Sequence, residues 1–135
     1  MKSLEFFSLP FSSFTRLISR FKHSLSLPEE IASDLGIFLS NRLDYVELRE
    51  LFLQREITPT KLHRFMERSL AEGNFRHAKK FEKFCRESHF SYCFNGNWVD
   101  FTLHFDQQDR LRRLYIHCCG MAIDEQHEIS LQILP

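Results

Sequence analysis

The sequence predicts an α+β domain in which about four helices precede a small antiparallel meander of three to four strands. Up to residue 88, apolar residues recur at helical spacing between capping residues. From residue 89 onward they alternate with polar residues, which is typical of half-buried strands. The Asn-Gly pair at 95–96 separates two alternating runs and predicts a tight hairpin turn. Helices in one half of the chain and strands in the other are typical of the α+β class.

Length and composition favour one domain over residues 27–135, helical over 27–88 and β over 89–135, preceded by an amphipathic segment over 1–26. A chain of 135 residues can bury a substantial core. Its content of 43% hydrophobic and 27% charged residues excludes a disordered chain. The 15 Phe residues carry no polar group, so we expect most of these rings to be buried or to contact a partner.

The cysteine pattern and the hydropathy indicate the cellular setting. The four cysteines lack the spacing of a disulfide framework, and no apolar run approaches the roughly 20 residues of a membrane span. These features predict a cytoplasmic protein with reduced thiols and no transmembrane segment. Residues 1–26 are Ser-rich and basic, a composition that also occurs in organelle-targeting and export signals, so a targeting role stays an alternative.

The N-terminal segment carries one apolar stripe at helical spacing. Its members are Phe11, Phe14, Leu17, Ile18, Phe21 and Leu25. We expect a helix that packs on the domain, and the alternative is a helix that contacts a membrane surface or another protein. In the alternative, the partner-binding residues are Phe11, Phe14, Ile18 and Phe21.

Capping residues predict where the first helices of the domain begin. Ser26 precedes a first turn that contains Pro28 and two glutamates, as helix N-termini often do. Asp44, with Glu47 three residues later, predicts a capping box before a second apolar run. The buried stripe expected on the first helix is Ile31, Leu35, Phe38 and Leu39, and the second apolar run contains Val46, Leu48, Leu51 and Phe52.

Two further helices are predicted before the strands begin. Thr58 and Pro59 are suited to start a helix, and Gly73 is suited to end it. Residues 75–88 then continue at helical spacing. The residues expected on one side of that helix are Phe75, Ala78, Phe81 and Cys85.

The alternation predicts strands near 90–94, 99–105 and 114–118, and a closing strand through Ile129, Leu131 and Ile133. A turn at residues 106–109 aligns the second and third strands. The pairs expected from it are Phe105 with Arg110, His104 with Leu111, Thr102 with Arg113, Asp100 with Tyr115, and Trp98 with His117. In this register Cys118 points into the core, whereas His117 and Cys119 point outward.

Cysteines and histidines suggest two kinds of chemical site. Cys85, His89 and Cys93 follow a C-x₃-H-x₃-C spacing and are the candidate zinc ligands, although there is no C-x₂-C pair. Asp100, His117 and Cys119 are the residue types of a thiol catalytic site on the outer face of the sheet. Buried structural cysteines and an ordinary polar sheet face explain the same residues. We therefore expect neither a metal nor another cofactor.

A basic block is the strongest charge feature of the chain. Residues 61–86 contain eight Lys or Arg and three Asp or Glu, although the whole chain has no net charge. On two adjacent helices this block could contact phosphates, with the helix over 59–72 as a recognition helix and the Asn-Gly hairpin as a wing. The candidate nucleic-acid ligands are Lys61, Arg64, Arg68, Arg76, Lys79, Lys80 and Lys83. A solvated helical surface is the competing interpretation.

The preferred function is a non-enzymatic protein–protein interaction module, such as an adaptor, a chaperone-like protein or a small effector. The many Phe residues and the amphipathic N-terminal stripe favour a surface that meets another protein chain or a second copy of this one. Nucleic-acid binding by the basic block is the first alternative. A small enzyme with its site on the outer sheet face is the second.

Overall fold

A five-stranded antiparallel meander forms the centre of the molecule, with the strands in the order in which they follow along the chain. The computed structural model describes residues 25–39, 43–54, 57–118, 121 and 125–135. The strands are β1 (Lys80–Lys83), β2 (Glu87–Phe94), β3 (Asn97–Phe105), β4 (Leu111–Cys118) and β5 (His127–Ile129). The helices in the described residues are α1 (Pro28–Leu35), α2 (Tyr45–Gln54) and α3 (Arg68–Gly73).

This architecture confirms the α+β class, but with more strands and fewer helices than expected. The sheet has five strands in place of three to four, and the described residues contain three helices in place of about four. The helix predicted in the N-terminal segment, with Phe11, Phe14, Ile18 and Phe21, lies outside the described residues. Within the described part of the chain, no helix has the length and apolarity needed to cross a membrane.

The core lies on one face of the sheet, which we name the inner face. It contains alternate residues of the strands, among them Phe90, Phe101 and Leu114, together with the apolar residues of the helices. Ile31 and Leu35 of α1 are fully buried, as are the rings of Tyr92 and Phe101. Most buried strand residues lie on this face, with Cys93 and Thr102 as buried exceptions on the other, so the helices cover the inner face and most side chains of the opposite, outer face are at least partly exposed.

The two predicted helix starts are confirmed with one change. Asp44 and Glu47 form the capping box, with backbone-to-carboxylate distances of 3.0 and 2.8 Å. Helix α1 begins at Pro28, and the Glu30 carboxylate, not Ser26, satisfies the backbone N–H of Leu27. Ser26 instead pairs with β2, donating its N–H to the Cys93 carbonyl at 2.7 Å. Phe38, expected to be buried, is 90% exposed because α1 has already ended.

The helix predicted from Pro59 to Gly73 is wrong over most of its length. Only Arg68–Gly73 is helical, and Phe65 adopts a positive φ of 71° that an α-helix cannot contain. The backbone here pairs with the start of β4 instead: Phe65 N–H donates to the Leu111 carbonyl at 2.6 Å. Hydrogen bonds to a distant strand therefore outweigh the local helical preference.

The helix predicted over residues 75–88 is also wrong. This stretch contains β1 and the first residues of β2, paired in the register of Phe81 with Phe90 and Lys83 with Ser88. The rings of Phe81 and Phe90 stack with centroids 4.8 Å apart, and Phe75 stacks on the other side of Phe90 at 4.3 Å. Phe75 and Phe81, whose spacing suggests a helix here, thus belong to a stack of rings from three separate segments.

The hairpin between β2 and β3 turns at Asn95 and Gly96 as predicted, with φ values of 52° and 90°. The predicted register between β3 and β4 is wrong: Asp100 pairs with His117, and His104 pairs with Arg113. An irregularity between His104 and Phe105 and a longer turn, in which Asp106 N–H donates to the Arg110 carbonyl, account for the shift.

The shift in register amounts to two residues from Asp100 to His104, so the side chains opposite these residues keep their predicted face. Leu111 does not: expected opposite His104 on the outer face, it pairs with Phe105 and is fully buried on the inner face. Cys118 is fully buried on the inner face as predicted, and His117 lies on the outer face. The closing strand is shorter than predicted. It includes Ile129 but not Ile133, which is 63% exposed.

Phe101→Ala should lower the free energy of unfolding by about 3–5 kcal/mol, because this ring is fully buried among Phe52, Phe75 and Tyr92. Urea denaturation measures the change. Phe38→Ala is the matched control, since it removes an equally large ring that is 90% exposed. Similar losses in the two variants would contradict the assigned core.

Candidate functional site

Strand β1 is an exposed edge of the sheet. All four of its residues are exposed to solvent, and in the described part of the chain it pairs only with β2. Phe81 is 53% exposed and Phe84, which follows the strand, is 51% exposed. Residues 80–84 are named the β1 edge below. An exposed edge with large apolar side chains is uncommon, because it offers a template for pairing with another chain.

The outward backbone groups of the β1 edge follow from the hairpin hydrogen bonds. Phe84 N–H donates to the Glu87 carbonyl at 2.8 Å, so Phe84 and Glu87 form a hydrogen-bonded pair. In antiparallel strands such pairs alternate with pairs that share no hydrogen bond. Lys80 and Glu82 therefore direct their backbone groups to β2, whereas Phe81 and Lys83 direct theirs away from the sheet. Two residues thus present free donors and acceptors to solvent.

Each side of the β1 edge carries an aromatic residue. On the inner side, the Phe81 ring is the outermost member of the stack with Phe90 and Phe75. On the outer side, Phe84 contacts the His89 ring at 5.0 Å and helps to line a shallow recess of about 430 Å³. Lys80 Nζ lies 4.4 Å above the Trp98 ring. An added strand would therefore find apolar contacts on both of its sides.

Arg68 holds the β1–β2 turn in place from inside. Its side chain is only 7% exposed, and its Nη atoms donate to the carbonyls of Cys85, Phe84 and Glu87 at 2.8, 2.7 and 3.0 Å. Nε forms an ion pair with Glu72 at 3.0 Å, and the guanidinium lies 4.7 Å from the centre of the Phe105 ring. Five N–H donors on one planar group make Arg suited to bind several carbonyls at once.

The predicted basic residues are not gathered on one surface. Arg68 is buried, and Lys61 Nζ donates to the Ser33 carbonyl at 2.7 Å. Arg64 is only half-buried and lies in the segment next to β4. The remaining four, which precede or belong to β1, are Arg76, Lys79, Lys80 and Lys83. Lys83 Nζ lies 3.9 Å from Glu72, so part of its charge is offset.

A buried aspartate on α1 fixes the segment that leads into β1. Asp34 accepts hydrogen bonds from Tyr92 Oη at 2.7 Å and from the His77 backbone N–H at 2.9 Å, and its second oxygen lies 2.6 Å from His77 Nδ1. Burial, and then the hydrogen bond to Asp34, raise the pKa of Tyr92 well above its usual range. Sequence reasoning missed this network, because no local pattern relates these residues.

The candidate thiol site is brought together only in part. Asp100 and His117 are direct cross-strand partners, with Oδ2 and Nδ1 4.0 Å apart. Cys119 lies outside the described residues. The carboxylate and imidazole are therefore neighbours on the outer face.

The candidate zinc ligands are separated by the sheet geometry. Cys85 is exposed in the β1–β2 turn, whereas Cys93 is buried near the other end of β2. His89 and Cys93 are four residues apart on one strand, which places them roughly 13 Å from each other. His89 Nε2 lies 2.8 Å from the Glu87 carboxylate. Among the described residues, no three His, Cys, Asp or Glu side chains converge as metal ligands would.

Comparison of the chain with protein-family models, with curated proteins and with solved structures found no match.

Arg68→Met should lower the free energy of unfolding by about 3 kcal/mol, because the Glu72 carboxylate and the carbonyls of Phe84, Cys85 and Glu87 each lose a charged donor. Amide hydrogen exchange should also become faster in β1 than in β4. Arg76→Met is the matched control: this arginine is exposed, and we expect a change within about 0.5 kcal/mol. Equal effects of the two substitutions would refute the role given to Arg68.

Tyr92→Phe should lower the free energy of unfolding at neutral pH by about 1–3 kcal/mol, because Asp34 stays buried without its hydroxyl donor. The raised pKa of Tyr92 also predicts a pH dependence. The unfolded chain releases the proton near the ordinary tyrosine pKa of about 10 and the folded chain does not, so stability falls as the pH rises above that value. Chemical denaturation from pH 7 to pH 11 should show a smaller fall in the variant. Parallel curves would contradict the assignment.

Proposed function

We propose that the protein is a non-enzymatic protein-binding module that accepts an extended segment of its partner as a sixth strand beside β1. The observation that supports this proposal is the β1 edge: its strand is exposed throughout, and the backbone groups of Phe81 and Lys83 point away from the sheet. Strand addition at an exposed sheet edge is a recurring way in which proteins recognise extended peptides.

The two sides of the edge supply the selectivity that backbone hydrogen bonds lack. A strand beside β1 presents alternate side chains to Phe81 on the inner side and to Phe84 on the outer side. Each of these rings is about half exposed in the free protein, so an apolar side chain of the partner removes further surface from water. We therefore expect apolar residues on both sides of the bound segment.

The edge is also rigid before the partner arrives. Arg68 binds three carbonyls of the β1–β2 turn, which follows β1. Asp34 holds the segment that precedes β1 through its hydrogen bond with His77. A preformed strand loses little conformational entropy on binding, which leaves more of the contact energy for affinity. The exposed thiol of Cys85 in this turn suits the reducing cytoplasm, where we place the module.

Nucleic-acid binding is a second candidate, favoured by the cations Arg76, Lys79, Lys80 and Lys83 around an edge with exposed aromatic rings. The positive charge around this edge is partly offset by Glu82 within the same strand and by Glu72 beside Lys83. An electrophoretic shift experiment with single-stranded oligonucleotides at two salt concentrations separates the two functions. A complex that weakens strongly with salt would favour nucleic acid over a peptide strand.

Lys83→Pro should weaken strand addition with the fold intact, because it removes an N–H that points away from β2. A display library of random peptides selects ligands for the wild-type protein, and fluorescence anisotropy then measures their affinity. We expect affinity at least about tenfold weaker for Lys83→Pro, with Lys83→Ala close to wild type as the matched control.

Hydrogen exchange gives an independent measurement on the unaltered chain. Bound peptide should protect the amides of Phe81 and Lys83, whereas the amides of Lys80 and Glu82 are already protected by β2. Selected peptides that bind Lys83→Pro as well as wild type, or a library that yields no ligand, would overturn the proposed function.

A further inference from the structure

We infer that the extended segment bound at the β1 edge is β1 of a second copy of this chain, related to the first by a two-fold axis beside Phe81. This inference rests on the proposed function, because it uses the same outward backbone groups. It adds the identity of the partner and the register of the pairing.

Backbone geometry permits this pairing. With the two-fold axis beside Phe81, the Phe81 N–H of each copy donates to the Phe81 carbonyl of the other, and both groups point away from β2. The interface is isologous, so one surface meets itself and the assembly closes at two copies. On the inner side the two Phe81 rings lie next to each other and extend the ring stack of each core.

Charge complementarity selects the register. Antiparallel pairing about Phe81 places Lys80 opposite Glu82 of the second copy, and Glu82 opposite its Lys80. These residues occupy pairs without mutual hydrogen bonds, whose Cα atoms approach to about 4.5 Å, so their side chains are close on the outer side. Glu82 is exposed and has no ion-pair partner among the described residues, which leaves its carboxylate available.

Neighbouring registers place like charges together. If the two-fold axis lies between Phe81 and Glu82, Lys80 faces Lys83 of the second copy. If the axis lies beside Glu82, the Glu82 carboxylates of the two copies face each other. Lysines on an edge strand commonly prevent such unwanted pairing. In β1, facing lysines or facing glutamates disfavour these two shifted registers, whereas the register about Phe81 gives two Lys80–Glu82 pairs.

The dimer should be weak and should depend on concentration. Strands of four residues bury less surface than a standard interface of about 1,600 Å². At each end of the ladder Lys83 also approaches Lys79 of the second copy, and the Lys79 N–H is already donated to Ser91 at 2.8 Å. Solvent-exposed ion pairs are screened by salt, so raising the salt concentration should weaken the dimer further.

Charge reversal tests the register with the full chain. Sedimentation equilibrium should show a monomer–dimer equilibrium for wild type. Lys80→Glu and Glu82→Lys should each weaken dimerisation at least about tenfold, because two attractive pairs become repulsive. An equimolar mixture of the two single variants should form a heterodimer, and the double variant should dimerise as wild type does.

The control and the contrary outcomes are distinct. Glu50→Lys changes the net charge as Glu82→Lys does, but on the exposed side of α2, and should leave dimerisation unchanged. Circular dichroism establishes that each variant is folded. A wild-type monomer at every concentration, or single variants that dimerise normally, would overturn the inference. The proposed function survives that result if library peptides still bind wild type and Lys83→Ala but not Lys83→Pro, and it fails together with the inference if they do not.

Discussion

A buried guanidinium is the interaction on which the arrangement of this molecule depends. Arg68 is 7% exposed, and an arginine cannot lose its charge on burial, so each of its N–H groups needs an acceptor nearby. It finds them in the Glu72 carboxylate and in carbonyls of the turn between β1 and β2. The same contacts close the end of the core beside Phe105 and fix the outermost strand. A side chain that solvent barely reaches therefore supports the exposed edge at its turn.

The sequence was most informative where local chemistry decides the structure. The capping box at Asp44 and the hairpin at Asn95-Gly96 form as expected, because each depends on residues a few positions apart. The prediction from sequence was wrong over residues 75–88, where "KFEKF" suits either a helix or a strand and contacts with distant residues decide between the two. Phe81 stacks on Phe90 and Arg68 binds the turn carbonyls, and neither contact can be predicted from the local spacing of apolar residues. Tertiary contacts overrode the helical spacing.

The candidate site illustrates the same limit. The basic residues were identified, but a helical arrangement would have placed Arg68 with the exposed cations, whereas it lies in the interior. The proximity of Asp100 and His117 depended on a register that a bulge had altered. The Asp34 network joins residues 43 and 58 positions apart, which one sequence without structural information cannot relate. Residue types could thus be predicted, and their neighbours could not.

The hydrogen bonds that hold β1 in place join residues far apart in sequence, and this affects the rate of folding. The hydrogen bond from Tyr92 to Asp34 closes a loop of 58 residues, and Arg68 reaches the turn across 16 to 20. Contacts between residues far apart in sequence carry a large entropic cost of loop closure and slow folding. The edge strand should therefore become ordered only after α1 has packed against β2 and Arg68 of α3 has bound the β1–β2 turn. A chain that has not made these contacts would lack the ordered edge at which we propose that a partner strand binds.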